Sequence, residues 1–396
     1  MGAARGVYFP NLNGLRFVAA LAVIVHHSEQ LKAMFGLPSV WGRSPSVFIL
    51  GELGVVLFFV LSGFLITYLL LEEERRGVIQ VGRFYLRRAL RIWPLYYLIV
   101  GLSLFVLPRV LFFTWPGYGI EVVQSDLGTK TVLYATLFAN VVMANLGVVP
   151  YASQTWSIGT EEQFYLIWPL LMKHVRNKLA LMLGVIVVYL LGSFLLSPAI
   201  IGVGPWQSWV GAFYDTFNID CMAIGGLAAV ILHRKLRPLA FLLDSRTFYA
   251  TLALTLTLVA TGWSIPQLSF EAYAVLFAIL VVNLAANPRI GWSLELAPVH
   301  YLGKISYGLY MLHPLAIVIA IRLLAWMGVG SNLAFYPLCL SVAIGLAAAS
   351  YRFLESPFLR QKDRFANIVS GERARDAKFE VNELNEEREG VKPLLD

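Results

Sequence analysis

A basic side chain and an imidazole occur eleven residues apart within the first apolar run of the sequence. The run covers residues 12–34, and the two side chains are Arg16 and His27. At about 100° per residue, a helix places them on one face about 20° apart, and it turns His26 about 80° away. A buried neutral imidazole can accept a proton from a hydroxyl, so His27 is a candidate general base. The alternative is a histidine that only packs against a neighbouring helix.

Basic side chains are also concentrated in residues 72–91, above all at Arg83, Arg87, Arg88 and Arg91. On a helix, residues three or four positions apart are neighbours, so Arg87, Arg88 and Arg91 would share a face. Guanidinium groups bind phosphate through two parallel hydrogen bonds, and the cluster therefore suits a ligand with several phosphates. The alternative is a purely topological role, in which the arginines stay in the cytoplasm and contact anionic lipid.

Two adjacent acids stand at the start of another apolar run, within the segment TWSIGTEEQFY at residues 155–165. Thr160 and Gln163 have the spacing of a capping box, which predicts that a helix begins at Thr160. Glu161 and Glu162 would then lie in the first turn, where the helix dipole favours anions. The cap accounts for one acid but not for two acids among several aromatic side chains. The pair is therefore a candidate polar site.

Weaker signals lie in three other apolar runs. Ser62 and Gly63 form a small pair in mid-run that would let two helices approach closely. Ser306, Tyr307 and Tyr310 fall within one helical sector, and His313 continues the row three residues further on. Ionisable residues inside membrane segments are costly in free energy, so Tyr307, Tyr310 and His313 are functional candidates.

The composition indicates which elements must position these side chains. The chain has 396 residues, of which 58% are apolar and 14% charged. Soluble domains have about 45–50% apolar and about 25% charged residues, so a soluble enzyme and a disordered chain are both excluded. The apolar runs are unbroken, whereas the strands of a transmembrane barrel alternate apolar and polar residues. The sequence predicts an all-α, polytopic integral membrane bundle.

Charge and cysteine content exclude several partners. The net charge is +7, but the basic residues lie beside apolar runs, as the positive-inside rule expects, so no nucleic acid partner is predicted. Cys221 and Cys339 both lie in apolar stretches without the spacing of a disulfide framework or a zinc site. We expect both to be small core residues, and we expect no metal. The first apolar run lacks a signal peptidase site and is expected to be a retained helix.

Eleven apolar runs are candidate membrane segments. They cover residues 12–34, 47–71, 92–112, 131–149, 161–173, 179–197, 216–232, 247–263, 270–286, 304–326 and 333–354. The stretches 197–214, 264–269 and 327–332 contain no Lys or Arg and are expected to be external, whereas the arginine-rich stretch 72–91 is expected to be cytoplasmic. This assignment requires ten spans, two cytoplasmic termini and a re-entrant or interfacial piece at 131–149. Residues 1–359 would form one membrane domain and residues 360–396 a disordered, polar cytoplasmic tail.

Taken together and in this order, the motifs resemble those of the acyltransferase-3 family of integral membrane O-acyltransferases. The matching motifs are Arg16 and His27 with ten residues between them, FFVLSGF at 58–64, Arg88-x-x-Arg91 followed by Ile-Trp-Pro, TWS and EEQFY within 155–165, SYGLYMLH at 306–313 and Glu355-Ser-Pro357. They extend from residue 11 to about residue 359 and leave only the tail uncovered.

The resemblance implies a bacterial inner-membrane enzyme that moves an acyl group, usually acetyl from cytoplasmic acetyl-CoA, to a hydroxyl of an acceptor. Family members commonly modify envelope glycans, such as exopolysaccharide or lipopolysaccharide, and some acylate small molecules. His27 would be the general base or a transient acyl carrier, and Glu161 would position the acceptor or tune His27. The residues implied for CoA are Arg16, Arg87, Arg88 and Arg91. Those implied for substrate are Ser62, Asp220, Tyr307, Tyr310 and His313.

The sequence departs from the family pattern at two points. Asn218 stands two residues before Asp220, where the family commonly has Arg. The chain also ends before the extracytoplasmic hydrolase-like domain that some relatives carry, so that this chain or a separate partner would deliver the acyl group outside. A transporter or flippase of glycan or lipid precursors is the alternative function, because intramembrane ionisable residues are typical of those proteins too. The one-sided basic cluster and the lack of a visible inverted repeat favour the acyltransferase.

Overall fold

A computed structural model describes residues 6–41, 44–196, 200, 205–265, 268–366, 368, 370–371 and 374–375. Within these ranges the chain forms helices and no β-strand, as predicted. Residues 376–396 of the predicted polar tail lie outside the described residues, as do residues 197–199 and 201–204 of the predicted external stretch at 197–214.

The described helices have the following bounds: α1 Leu12–Met34, α2 Pro45–Arg76, α3 Val81–Gly101, α4 Ile120–Gln124, α5 Leu127–Ala135, α6 Ala139–Asn145, α7 Trp156–His174, α8 Lys178–Leu195, α9 Pro205–Thr216, α10 Ile219–Arg234, α11 Leu239–Leu242, α12 Ser245–Thr261, α13 Ser269–Ala286, α14 Ala297–Lys304, α15 Ser306–Trp326, α16 Asn332–Ser350 and α17 Ser356–Lys362. A π-helical segment, Leu102–Val106, continues α3, and a second one, Tyr351–Glu355, joins α16 to α17.

Local sequence signals account for several helix ends. Pro45 occupies the first position of α2, where a missing backbone N–H costs nothing, and Gly77 ends the same helix with a φ of 150°. The Asn177 side chain accepts a hydrogen bond from the backbone N of Ala180 at 3.1 Å and caps α8. Apolar runs between such signals therefore become the long helices of the bundle.

Seven helical segments in the described part of the chain are long and apolar enough to cross a bilayer. They are Pro45–Arg76, Val81–Arg109, Lys178–Leu195, Trp209–Arg234, Ser269–Ala286, Ser306–Trp326 and Asn332–Lys362. The predicted ten spans also require α1, α7 and α12, which have 23, 19 and 17 residues and are not among the seven. The polytopic helical class is confirmed, and the number of ten crossings stays a prediction.

The segment 131–149 was predicted to be re-entrant or interfacial, and it contains no long helix. It is divided between α5, with 9 residues, and α6, with 7 residues, which are separated by Leu137 at a φ of 66°. At about 1.5 Å per residue, neither helix approaches the roughly 30 Å of a bilayer core.

Helix α2 lies at the centre of the bundle and packs against α1, α10 and α13. Its contact with α10 depends on two glycines, because a Cβ on Gly63 would overlap the carbonyl of Met222 and a Cβ on Gly225 would overlap that of Val60. The predicted close approach at Ser62 and Gly63 is therefore confirmed. Helix α15 packs against α1 and α16, which places α1 between α2 and α15. The candidate site lies where these helices meet α3 and α7.

Candidate active site

A cavity of about 330 Å³ opens among α1, α2, α3, α7 and α15. Seven of the predicted site residues line it: Arg16, Ser62, Arg88, Arg91, Glu161, Tyr307 and Tyr310. They come from five helices that are far apart in the sequence, so the cavity depends on the fold rather than on one local motif. Its size is in the usual range for a small-molecule site.

Arg88 and Arg91 bring positive charge to the wall of the cavity that α3 contributes. The Arg88 guanidinium lies over the rings of Phe84 and Tyr165, with centroid distances of 5.8 and 5.7 Å. Its Nε is buried and has no hydrogen-bond partner among the described residues. A ligand with an anionic oxygen would satisfy this donor, so the arginine pair fits a phosphate-bearing ligand.

Arg87 was predicted to share a face with Arg88 and Arg91, but the structure does not bring it into the same cavity. Its Nη2 lies 2.6 Å from Oε1 of Glu73, and its Nη1 donates to the carbonyl of Phe365 at 3.0 Å. It lines a smaller adjacent cavity of about 110 Å³. Arg87 therefore holds α3 against α2 and the segment that follows α17, in a structural contact.

Glu161 is held in the cavity by two hydroxyl groups. Oγ of Ser62 donates to its Oε1 at 3.0 Å, and the hydroxyl of Tyr165 donates to its Oε2 at 2.8 Å. Each carboxylate oxygen thus has a donor, which fixes the group in one orientation. Ser62, predicted as a substrate-binding residue, lines the cavity and also supports Glu161.

Glu162 points away from this cavity. Its Oε2 accepts a hydrogen bond from Nε1 of Trp93 at 3.0 Å, and its Oε1 is buried with no hydrogen-bond partner among the described residues. The two neighbouring acids therefore have different surroundings, and only Glu161 lines the cavity.

The capping-box prediction at Thr160 is wrong. Helix α7 begins at Trp156, so Glu161 and Glu162 lie in its second turn rather than its first. Oγ1 of Thr160 donates to the carbonyl of Thr216 at 2.7 Å instead of capping the helix. The helix dipole therefore cannot account for the acids, because its effect falls off within the first turn.

The row on α15 is divided between two tasks. Ser306, Tyr307 and Tyr310 line the cavity, as predicted for residues of one helical sector. The Tyr307 hydroxyl donates to the carbonyl of Ile92 at 2.7 Å and ties α15 to α3 beside Arg91. The hydroxyl of Tyr310 donates to the carbonyl of Gln154 at 2.8 Å and lies 2.7 Å from Oγ of Ser157.

His313 lies against His27 rather than in the cavity. Nδ1 of His313 donates to the carbonyl of Tyr310 at 2.6 Å, since a carbonyl can only accept. Its Nε2 is then the unprotonated nitrogen of a neutral imidazole, and it lies 3.1 Å from Nδ1 of His27. The same Nδ1 of His27 is 3.2 Å from the carbonyl of Val23. Both partners are acceptors, so Nδ1 of His27 carries the proton and its Nε2 has the free lone pair.

His26 faces a different helix from its neighbour. Its Nδ1 lies 3.1 Å from the carbonyl of Val47, and its ring would be overlapped by a Cβ on Gly51 of α2. Arg16 lines the cavity, whereas His27 is not among its lining residues and contacts α15 through His313. His26 and His27 therefore contact different helices, α2 and α15. A shared face of Arg16 and His27 stays a prediction, because only Arg16 of the two lines the cavity.

Asp220, predicted as a substrate-binding residue, is not among the lining residues of the cavity. It is fully buried near the start of α10, and neither carboxylate oxygen has a hydrogen-bond partner among the described residues. Cys221 beside it and Cys339 on α16 are buried free thiols, as predicted for small core residues. In the described ranges, no three His, Cys, Asp or Glu side chains are grouped closely enough to hold a metal ion.

Several lining residues were missed at the sequence level. The main ones are Asn13, Ser157, Tyr165, Lys304, Glu355 and Lys362. Ser157 and Tyr165 lie four residues before and after Glu161, so helical spacing from the predicted acid would have found them. Asn13 is three residues before Arg16 by the same rule. Glu355 belongs to the motif Glu355-Ser-Pro357, but the spacing of that motif does not predict a place in the cavity.

Comparison with known proteins identifies the family of this chain. The family described as "Acyltransferase domain" matches residues 9–352. The chain is 26% identical to the peptidoglycan O-acetyltransferase OatA of Listeria monocytogenes, over 92% of this chain and 57% of that protein. It is 27% identical to the putative peptidoglycan O-acetyltransferase YrhL of Bacillus subtilis, over 89% of this chain and 55% of that protein.

A putative O-acetyltransferase of Staphylococcus aureus is 25% identical over 89% of this chain and 58% of its own length. The chain therefore spans little more than half the length of the curated relatives that it matches. No solved structure gives a significant match. Because the family match covers most of the sequence and includes the residues that line the cavity on all five helices, the chain belongs to the acyltransferase-3 family.

Proposed function

We propose that this chain is a membrane O-acyltransferase that moves an acyl group, in the first instance acetyl, from cytoplasmic acyl-CoA to a hydroxyl of an envelope glycan. The observation that carries the proposal is the single cavity that combines Arg88 and Arg91 with Glu161 and the tyrosines of α15. The arginines suit phosphates, and the fixed carboxylate of Glu161 and the hydroxyl groups in the same cavity suit a polar acceptor.

The charge of the cavity supports an anionic donor. Five basic side chains line it, namely Arg16, Arg88, Arg91, Lys304 and Lys362, against the two acids Glu161 and Glu355. CoA carries several phosphate charges and would be attracted by this excess. By the positive-inside rule, we propose that the arginine-rich stretch at residues 72–91 lies in the cytoplasm. Acyl-CoA is present on that side of the membrane.

His27 would act through its Nε2, because Nδ1 is occupied by a proton that faces His313 and Val23. As a general base, Nε2 takes the proton of the acceptor hydroxyl while the oxygen attacks the thioester carbonyl. The C–S bond then breaks, and the CoA thiolate receives that proton from the imidazolium. As an acyl carrier, Nε2 attacks the carbonyl itself and the C–S bond breaks, which gives an N-acyl imidazolium and the CoA thiolate. The acceptor hydroxyl oxygen then attacks the acyl carbonyl, the bond to Nε2 breaks, and the hydroxyl proton goes to the thiolate. Both routes use the same lone pair.

Tyr310 connects the cavity with His27 and His313, neither of which is among the lining residues. It lines the cavity, and its ring centroid is 5.9 Å from that of His313. Its hydroxyl is fixed by Ser157 and the carbonyl of Gln154. We infer that the acyl end of the donor passes Tyr310 to reach His27, while its phosphates stay at Arg88 and Arg91.

The relatives suggest which acceptor to test first. Two of them are named as peptidoglycan O-acetyltransferases, so a hydroxyl of a peptidoglycan sugar is the first choice. An exopolysaccharide or lipopolysaccharide is the second choice. Because the relatives are longer, the assay needs to detect the donor half-reaction as well as complete transfer to the glycan.

The experiment uses the purified full chain in lipid nanodiscs with radiolabelled acetyl-CoA, and it measures CoA release and label on added peptidoglycan fragments. We expect CoA release that depends on His27, with label on the glycan or on the protein. A His27→Ala variant that releases CoA as fast as the wild type would contradict the proposal. Movement of glycan across the bilayer without any CoA release would favour the flippase alternative.

A further inference from the structure

Four polar side chains form a chain of contacts from the cavity to the loop before α14. Nη1 of Arg16 donates to Oδ1 of Asn13 at 3.0 Å. Nδ2 of Asn13 lies 3.3 Å from Nε2 of His300, and Nδ1 of His300 lies 3.4 Å from Oε2 of Glu295. Asn13 and His300 are 287 residues apart in the sequence, so their contact exists only because α14 packs against α1.

Chemistry determines the direction of the two hydrogen bonds that Asn13 makes in this chain of contacts. A guanidinium has donors only, so Asn13 must present its oxygen to Arg16 and its amide group to His300. Nε2 of His300 therefore accepts, and the proton of the neutral imidazole is on Nδ1. The carboxylate of Glu295 lies 3.4 Å from this Nδ1 in an electrostatic contact rather than a hydrogen bond.

The far end of the chain is firmly anchored. Glu295 accepts hydrogen bonds from the hydroxyl of Tyr8 and from the backbone N of Asn11, the latter at 2.6 Å. Asn11 in turn accepts from the backbone N of Leu294 at 2.7 Å. A Cβ on Gly303 would overlap the backbone of Asn13, which shows how closely α14 and the start of α1 approach.

We propose that His300 and Asn13 are positioning residues that hold the Arg16 guanidinium in one orientation in the cavity. Arg16 and Asn13 line the cavity, whereas His300 is only 5% exposed and acts on Arg16 through the Asn13 amide. Without an acceptor at His300 Nε2, the NH₂ group of Asn13 loses this hydrogen bond. A turn of the amide that points its NH₂ group at the guanidinium then costs less than in the wild type. The expected weakening of acyl-CoA binding rests on the proposed function. The expected loss of the contact between Arg16 and Asn13 does not.

The first arm of the test measures binding of CoA to the purified wild type and to three variants by calorimetry. His300→Leu removes the acceptor, and we expect a dissociation constant about tenfold higher, because a hydrogen bond supporting a charged group is lost. His300→Gln offers an amide oxygen near the position of Nε2, so binding within about threefold of the wild type is expected. His174→Leu, at the exposed end of α7, is the control and should match the wild type.

The second arm determines structures of the wild type and the His300→Leu variant by electron cryo-microscopy. Loss of the contact between Arg16 Nη1 and Asn13 Oδ1 in the variant supports the positioning role, whether or not the wild type binds CoA. Retention of that contact, or CoA binding by His300→Leu equal to that of the wild type, would overturn it. If His300→Leu does not yield monodisperse protein, Asn13→Ala interrupts the same chain and is judged by the same criteria for CoA binding and for the orientation of Arg16. Absence of CoA binding by the wild type would count against the proposed function alone.

Discussion

Nε2 of His313 lies 3.1 Å from Nδ1 of His27 and joins α15 to α1 at the centre of the bundle. The contact matters because Nδ1 of His313 already donates to the Tyr310 carbonyl, which leaves Nε2 as an acceptor. His27 is therefore held with its Nε2 lone pair free. A residue predicted to bind substrate instead sets the tautomer of the predicted catalytic residue.

The first prediction separates His27 from its neighbour. His27→Ala should be nearly inactive at normal expression, because loss of a general base costs about 10²–10⁴ in rate and loss of a covalent carrier removes the route. His26→Ala should keep substantial turnover, because His26 contacts the Val47 carbonyl of α2. Acyl transfer in membranes, normalised to protein level, measures both variants. If His26→Ala were inactive and His27→Ala active, the catalytic residue would have been assigned to the wrong face of α1.

The second prediction concerns the contact between the two histidines. His313→Leu removes the acceptor for Nδ1 of His27, so the imidazole can place its proton on either nitrogen, and we expect kcat to fall by about 10²-fold at most. His313→Gln keeps an oxygen acceptor and should recover most of that loss. The KM for acetyl-CoA should change little in either variant. Equal kcat values for Leu and Gln would argue for packing as the only role of His313.

The third prediction contrasts the two adjacent acids. Glu161→Gln should abolish most activity, because the carboxylate held by Ser62 and Tyr165 lines the cavity. Glu162→Gln should spare most of it, because Glu162 faces Trp93 outside the cavity. Rates per inserted protein provide the comparison, with insertion checked by protease protection. Similar modest losses from both variants would indicate a structural role for the pair.

The fourth prediction compares two arginines one turn apart on α3. Arg91→Ala should raise the KM for acetyl-CoA more than the KM for the acceptor, because the acceptor hydroxyl offers no phosphate. Arg87→Ala should instead lower the thermal stability in detergent, since it leaves the buried carboxylate of Glu73 without its 2.6 Å partner. Steady-state kinetics and a thermal unfolding assay distinguish the two. If Arg87→Ala changed the KM for acetyl-CoA more than Arg91→Ala did, Arg87 would be the residue that binds the donor and Arg91 the structural one.

The fifth prediction is topological. We expect both the start of α1 and the end of α17 to face the cytoplasm, because the arginine-rich stretch at 72–91 is the densest basic segment. A fluorescent protein fused after Asp396 should be bright, and alkaline phosphatase inserted at residue 330 should be active. An active phosphatase at the C-terminal fusion would contradict the arrangement with ten spans.

The sequence predicted the helical class well, because the long apolar runs need burial wherever they lie and correspond to α1, α2 and α15 in the structure. Helical geometry also predicted that the adjacent histidines point in different directions, and the structure places His26 against α2 and His27 against α15. Sequence reasoning failed at Thr160, where the local capping signal is present but the helix begins at Trp156. There the hydroxyl bonds to Thr216, 56 residues away, which no local pattern reveals.

The partners of the functional side chains were beyond sequence reasoning for the same reason. His313 is 286 residues from His27, and His300 is 287 residues from Asn13. Both pairs form only after α14 and α15 have packed against α1. Helical spacing placed Arg88 and Arg91 together correctly. It could not show that Arg87 lies outside their cavity, because its partner Glu73 belongs to another helix.

The most direct measurement of the central claim is mass spectrometry of the envelope glycans from a strain that lacks this chain, compared with its parent and with the strain complemented by His27→Ala. The account predicts that O-acyl groups on one class of glycan, peptidoglycan first, are lost in the deletion strain, return with the wild-type chain and stay absent with His27→Ala. Unchanged O-acylation of every envelope glycan in the deletion strain, or full restoration by His27→Ala, would contradict it.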